Sequence, residues 1–148
     1  MAVDRSYAVG NDAERARLKA FVTRVSDADL ARAMPAGWTV AAVLGHVAFW
    51  DQRILALLDA WARGAAPTSI HEEEVDWIND AGKPLLLAVP PRKAAELTVA
   101  IAEEVDRRVA ALPDDLVARN AAAGSPLSLF RGPHRKDHLD DIERILMR

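Results

Sequence analysis

No cysteine occurs among the 148 residues, so disulfides, thiolate metal ligands and a cysteine nucleophile are all excluded. Any thiol chemistry needs a thiol brought in from outside. Aromatic residues make up only 5% of the chain, and the net charge is −3 with both signs interleaved throughout. Without a basic patch interleaved with aromatics, nucleic-acid binding has no electrostatic support. Nowhere do 18 apolar residues run together, so no membrane span is expected. The opening residues, Met1 to Tyr7, hold no apolar stretch of the kind a secretory signal needs. A cytoplasmic protein is the expectation.

What is present describes a folded domain. Hydrophobic content is 51% and charged content 28%, a globular balance. The length suits one domain with a real core, so a single domain over residues 1–148 is expected.

The apolar pattern is helical almost from end to end. Asn11 or Asp12 is positioned to cap a first helix carrying Leu18, Phe21, Val22 and Val25. Ser26 opens a short turn that Pro35, Ala36 and Gly37 end. Thr39 reads as the N-cap of a second helix from about Val40 to Arg63, with Trp38 and Val43 placed as a hydrophobic staple and Gly64 as its C′ residue. On that helix Val43, Val47, Trp50, Ile54, Leu58 and Trp61 form one stripe, and His46 falls on its shoulder. Residues 65–91 are the least regular part. Ser69 and Glu72 make a capping box, and the run Leu85 to Val89, bounded by prolines, reads as a packed connector that is helical in part, with an isolated strand as the other reading. Pro91 opens a third long helix to about Leu112. A loop at 118–132 leads to a last helix from Pro133 to Met147. Four main helices with one long connector between the second and third make an all-α four-helix bundle the expected fold.

The chemistry concentrates in histidine. His134 and His138 stand four residues apart on the last helix, so their imidazoles lie about one turn apart on one face and can meet a single ion. His46 offers a third nitrogen from another helix. Three protein ligands leave one position open, the arrangement of a catalytic rather than a closed structural metal site. Two solvated histidines near a helix N-terminus, and a half-buried His46 bonded to a carbonyl, fit the same spacing. Asp141 lies about one turn from both His138 and His134 and is the candidate to accept a ligand's second N–H, or to act as a fourth ligand; a surface aspartate paired with an arginine fits there too. Trp50, one turn past His46, is a candidate pocket wall or a core residue. Trp77 and Asn79 line a cleft if the connector folds over the site. His71 precedes Glu72, Glu73 and Glu74, acids that a helix dipole favours in a first turn. No cluster of arginines singles out a site for an acidic thiol or a diacid.

The stretch from Trp38 to Trp50 resembles the second-helix signature of the DinB/YfiT-like superfamily, in which a Trp-Ser/Thr-Val lead-in precedes a metal-binding histidine, here His46. The pair His134 and His138 resembles the one these proteins carry on their last helix, and Glu74 to Asn79 resembles the middle connector of the maleylpyruvate isomerase-like branch. The resemblance implies a bundle with an unusual helix order, a divalent metal held by the three histidines, and often a homodimer. It also implies a thiol-dependent transferase or isomerase that uses a low-molecular-weight thiol such as mycothiol on a small-molecule substrate. Three imidazoles suit zinc or nickel first, with iron or cobalt also open. A hydrolase, and a non-catalytic metal-stabilised binding or stress-response module, are the competing readings. An open ligand position facing a substrate-sized cavity would separate enzyme from module.

Overall fold

Helices account for nearly all regular structure in the computed structural model, which describes residues 2–147; Met1 and Arg148, the ends of the expected domain, lie outside the described residues. In chain order these are α1 (Tyr7–Arg24), α2 (Asp27–Leu30), α3 (Val40–Ala62), α4 (Glu72–Ala88), α5 (Pro91–Ala110), α6 (Asp114–Ala122) and α7 (Gly132–Leu146). A two-stranded hairpin, β1 (Ala33–Met34) and β2 (Trp38–Thr39), brackets a 3-10 turn at Pro35–Gly37 just before α3. The long helices α1, α3, α5 and α7 form the expected all-α bundle.

Local chemistry explains most of the boundaries. Ser26 accepts from the Asp29 N–H and Thr39 from the Ala42 N–H, at 3.0 and 3.1 Å, which satisfies orphan donors at two helix starts. Gly64 follows α3 with φ at +99°, in its expected C′ role. α3 is apolar and long enough to cross a membrane by length and composition alone, yet 61% of its apolar window is buried inside the fold. Its middle carries the fully buried Asp51 in ion pairs to α7, and it is packed as a core helix.

Three boundaries differ from the sequence reading, each for a physical reason. α1 starts at Tyr7, ahead of the expected cap, because the Asn11 side chain is committed elsewhere. Its Oδ1 accepts the backbone N–H groups of Arg131 (2.6 Å) and Gly132 (2.9 Å), and its Nδ2 donates to the Leu129 carbonyl. Asn11 thus caps the start of α7. In the connector, His71 rather than Ser69 sits at the N-cap, with no side-chain cap bond, and the run Leu85 to Ala88 continues α4 with Pro84 inside it. The expected 118–132 loop begins with most of α6, whose alanines favour a helix and whose Asp114 and Asp115 suit its first turn.

Buried side chains group in two apolar clusters. One gathers Leu18, Phe21, Leu30 and Leu44 with Leu139 and Ile142 of α7; the other gathers Ile54, Leu58, Val105, Val109 and Leu127.

Candidate metal centre

His46 projects from α3 and His134 and His138 from α7, and their ring nitrogens converge. The Nε2 atom of His134 lies 3.2 Å from Nε2 of His46 and 3.2 Å from Nε2 of His138. One ligand nitrogen from each ring lies within 4.8 Å of the others. A tetrahedral ion with metal–nitrogen bonds of ~2.0–2.1 Å would separate its ligand atoms by about 3.3 Å, so the spacing fits. Hydrogen bonding alone accommodates this trio poorly. A neutral imidazole nitrogen either carries a proton or offers one lone pair, so the His134 Nε2 cannot serve both neighbours well. A shared electron-pair acceptor can serve all three.

Their electrostatics agree with that role. Burial pushes His46 down to about 4, with the neighbouring His138 adding to the shift. Burial also brings His134 down to about 3, helped by His138, His46, Arg131 and Arg135. His138 is lowered by burial as well, partly offset by Asp141 and Asp137. At neutral pH all three rings are uncharged, the form in which histidine binds metal.

A buried ionic network fixes α7 behind the site. Arg135, next to His134 in sequence but turned about 100° away around the helix, is fully buried. It donates to both oxygens of Asp106 on α5, each at 2.8 Å, and to Asp51 on α3 at 3.1 Å. Arg131 donates to the other Asp51 oxygen at 2.8 Å, and Arg15 on α1 reaches Asp106 at 2.7 Å. Buried carboxylates and guanidiniums are tolerated only when matched this closely. Gly132 completes the anchor, for a Cβ there would stand 2.7 Å from the backbone oxygen of Gly10. The His134 Nδ1 is buried without a hydrogen-bond partner, so the backbone around it, more than a bond of its own, sets where this ring sits.

His46 and His138 open onto a cavity of about 780 Å³ between α3, α4, α7 and the hairpin, with His134 behind them outside its lining. Trp38 stands edge-on to His46, ring centroids 5.8 Å apart, and forms the aromatic wall. Trp50, a candidate for that wall or for the core, is not part of the lining; it is half-buried, and its indole N–H donates to Asn79 Oδ1 at 2.8 Å and so holds α4 against α3. Asn79 itself lines the cavity, whereas Trp77 is 60% exposed. Gly45 permits this approach, since a Cβ there would meet Leu86 of α4 at 3.1 Å. Asp141 takes the second of its two expected places, a surface aspartate paired with an arginine. It lies at the cavity edge, half exposed, with its carboxylate paired to Arg144, and touches His138 only through its field. His71 is exposed and is not part of the trio.

The network was the part missed in the sequence, though its signal is there. Asp51 interrupts the apolar stripe of α3 between Val47 and Ile54, Asp106 does so beside Val105 and Val109, and Arg135 precedes Leu139 and Ile142 at helical spacing. Charges of opposite sign on three core-facing stripes point to buried pairing.

Residues 12–133 match the family described as mycothiol maleylpyruvate isomerase N-terminal domain. The match ends one residue before His134, so the placement of the α7 pair comes from the structure alone. No curated protein and no solved structure matches the chain.

Proposed function

The chain belongs to the mycothiol maleylpyruvate isomerase N-terminal domain family, and from that premise we propose a divalent-metal-dependent enzyme that transfers or rearranges a small substrate with the help of a low-molecular-weight thiol. The observation that carries this reading is the meeting of three uncharged imidazoles from two helices, with two of the rings lining a cavity of about 780 Å³. That volume is in the range of small-molecule sites. His46, His134 and His138 would hold the ion, and zinc or nickel suits them first. The ion would supply Lewis acidity, lowering the pKa of a bound water or thiol so that its anion exists near neutrality.

The chain's own residues set the conditions. Burial keeps the rings unprotonated, so no proton must leave before an ion binds. Trp38 and Val43 line one side with apolar surface and limit access of water there. With its Oδ1 accepting from Trp50, Asn79 keeps its amino group free to donate to a ligand. The absence of cysteine means that the nucleophilic sulfur comes from a small thiol.

Elemental analysis of the untagged protein tests this reading. We expect about one equivalent of metal, lost in each of His46→Ala, His134→Ala and His138→Ala while helicity is kept. Metal retained by all three variants would remove the ligand set and, with it, the enzyme reading.

A further inference from the structure

We propose that the cavity selects ligands carrying an ammonium group beyond the metal-binding end and disfavours dicarboxylates; this builds on the metal reading above. The lining includes Asp76 and Asp80, one turn apart on α4, and Asp141 on α7. Among the described lining residues the cation is Arg144, whose guanidinium is already paired with Asp141. Asp76 and Asp80 have no hydrogen-bond or ion-pair partner among the described residues. Lys83, the lysine of α4, forms no ion pair with either; its ammonium donates to the Ala36 carbonyl and lies 5.5 Å from the Trp38 ring centre.

The lining therefore keeps two unpaired carboxylates on the α4 side, opposite the histidines that would hold the ion. A ligand with an anionic sulfur or oxygen at one end and a cation a few bonds away matches both ends. A dicarboxylate places its second carboxylate against Asp76 and Asp80. At ~6 Å in a water-like medium, one such charge pair changes affinity about threefold, and two together about tenfold. Maleylpyruvate, the diacid in the family's description, is on this account a poor fit to this chain.

The test uses cobalt-loaded protein titrated with three small thiols, cysteamine, 2-mercaptoethanol and 3-mercaptopropionate, followed by the sulfur-to-cobalt absorption band. Each thiol is compared between wild type and the Asp76→Asn/Asp80→Asn double variant, which cancels the intrinsic acidity of its sulfur. Both positions are exposed on α4, and circular dichroism checks that the fold is retained. We expect the variant to weaken cysteamine about tenfold, to tighten 3-mercaptopropionate by a similar factor, and to leave 2-mercaptoethanol within about twofold. These differences should shrink in 1 M salt, where the Debye length is about 3 Å. Asp141→Asn, which releases Arg144 into the cavity, should also tighten 3-mercaptopropionate. Cobalt binding with no charge-dependent change between wild type and variant overturns this proposal alone. Failure of cobalt to bind overturns the metal reading and this one with it.

Discussion

Each of the three histidines is pulled toward its neutral form by burial, and a pH dependence follows. A histidine whose folded pKa lies below its unfolded value binds fewer protons folded than unfolded, so its stabilisation is complete above that unfolded value and is lost as pH falls. For His46 the window runs from 6.5 down to about 4, and for His134 from 6.5 down to about 3. The metal-free protein, kept in chelator, should hold its urea stability between pH 7 and 8 and lose it progressively below about 6.5. The His46→Ala/His134→Ala variant should show a shallower acid limb, because only His138 of the three buried rings then adds to the carboxylate titration. Parallel limbs for the two proteins would mean that these rings are not held neutral by the fold. At this scale the sequence was informative about ligand identity, since histidine is rare and its i, i+4 spacing is directional. It was uninformative about supporting contacts. Trp50 and Asp141 have the right spacing to serve the site, yet one is drawn to Asn79 and the other to Arg144, and spacing along one helix carries no information about those competitors.

Among the elements, α7 sets the geometry of the centre, and its first turn is gripped from three sides by Asn11, Asp51 and Asp106. Gly132→Ala isolates that grip without removing a charge. Alanine is the better helix former by ~1 kcal/mol, whereas overpacking against backbone costs about 1–3 kcal/mol. The clash is with a carbonyl oxygen at 2.7 Å, which no rotamer change relieves, so the cost wins. We expect a lower urea midpoint and weaker metal binding in the same variant. A neutral or stabilised Gly132→Ala protein would show that α1 and α7 can part without loss. Helix existence was legible at this scale because amphipathic periodicity and caps such as Thr39 are local. The start of α1 was not, because Asn11, a good local cap, serves a helix more than a hundred residues away. The strand alternative for Leu85 to Val89 fails for a related reason: no partner strand exists for it among the described residues.

Across the whole molecule, the sequence conveyed the bundle and the order of its parts, and the family match over residues 12–133 agrees with that. What it conveyed least was how unevenly the parts are held. α3 buries twelve residues, and α4 fully buries none. α4 is tied down through Gly45 against Leu86, Trp50 to Asn79 and Lys83 to Ala36, yet it forms the wall that bears Asp76 and Asp80. Amide hydrogen exchange should report this directly. Amides of α4 are expected to exchange through local openings, with those around His46 exchanging only when the bundle itself opens. Equal protection in α3 and α4 would contradict it. The floor and the wall of the cavity then belong to different cooperative units. Sequence drift or a bound ligand can reshape what the wall admits at little thermodynamic expense to the centre beneath it, so a lineage built on this scaffold is free to change its clientele while keeping its ion.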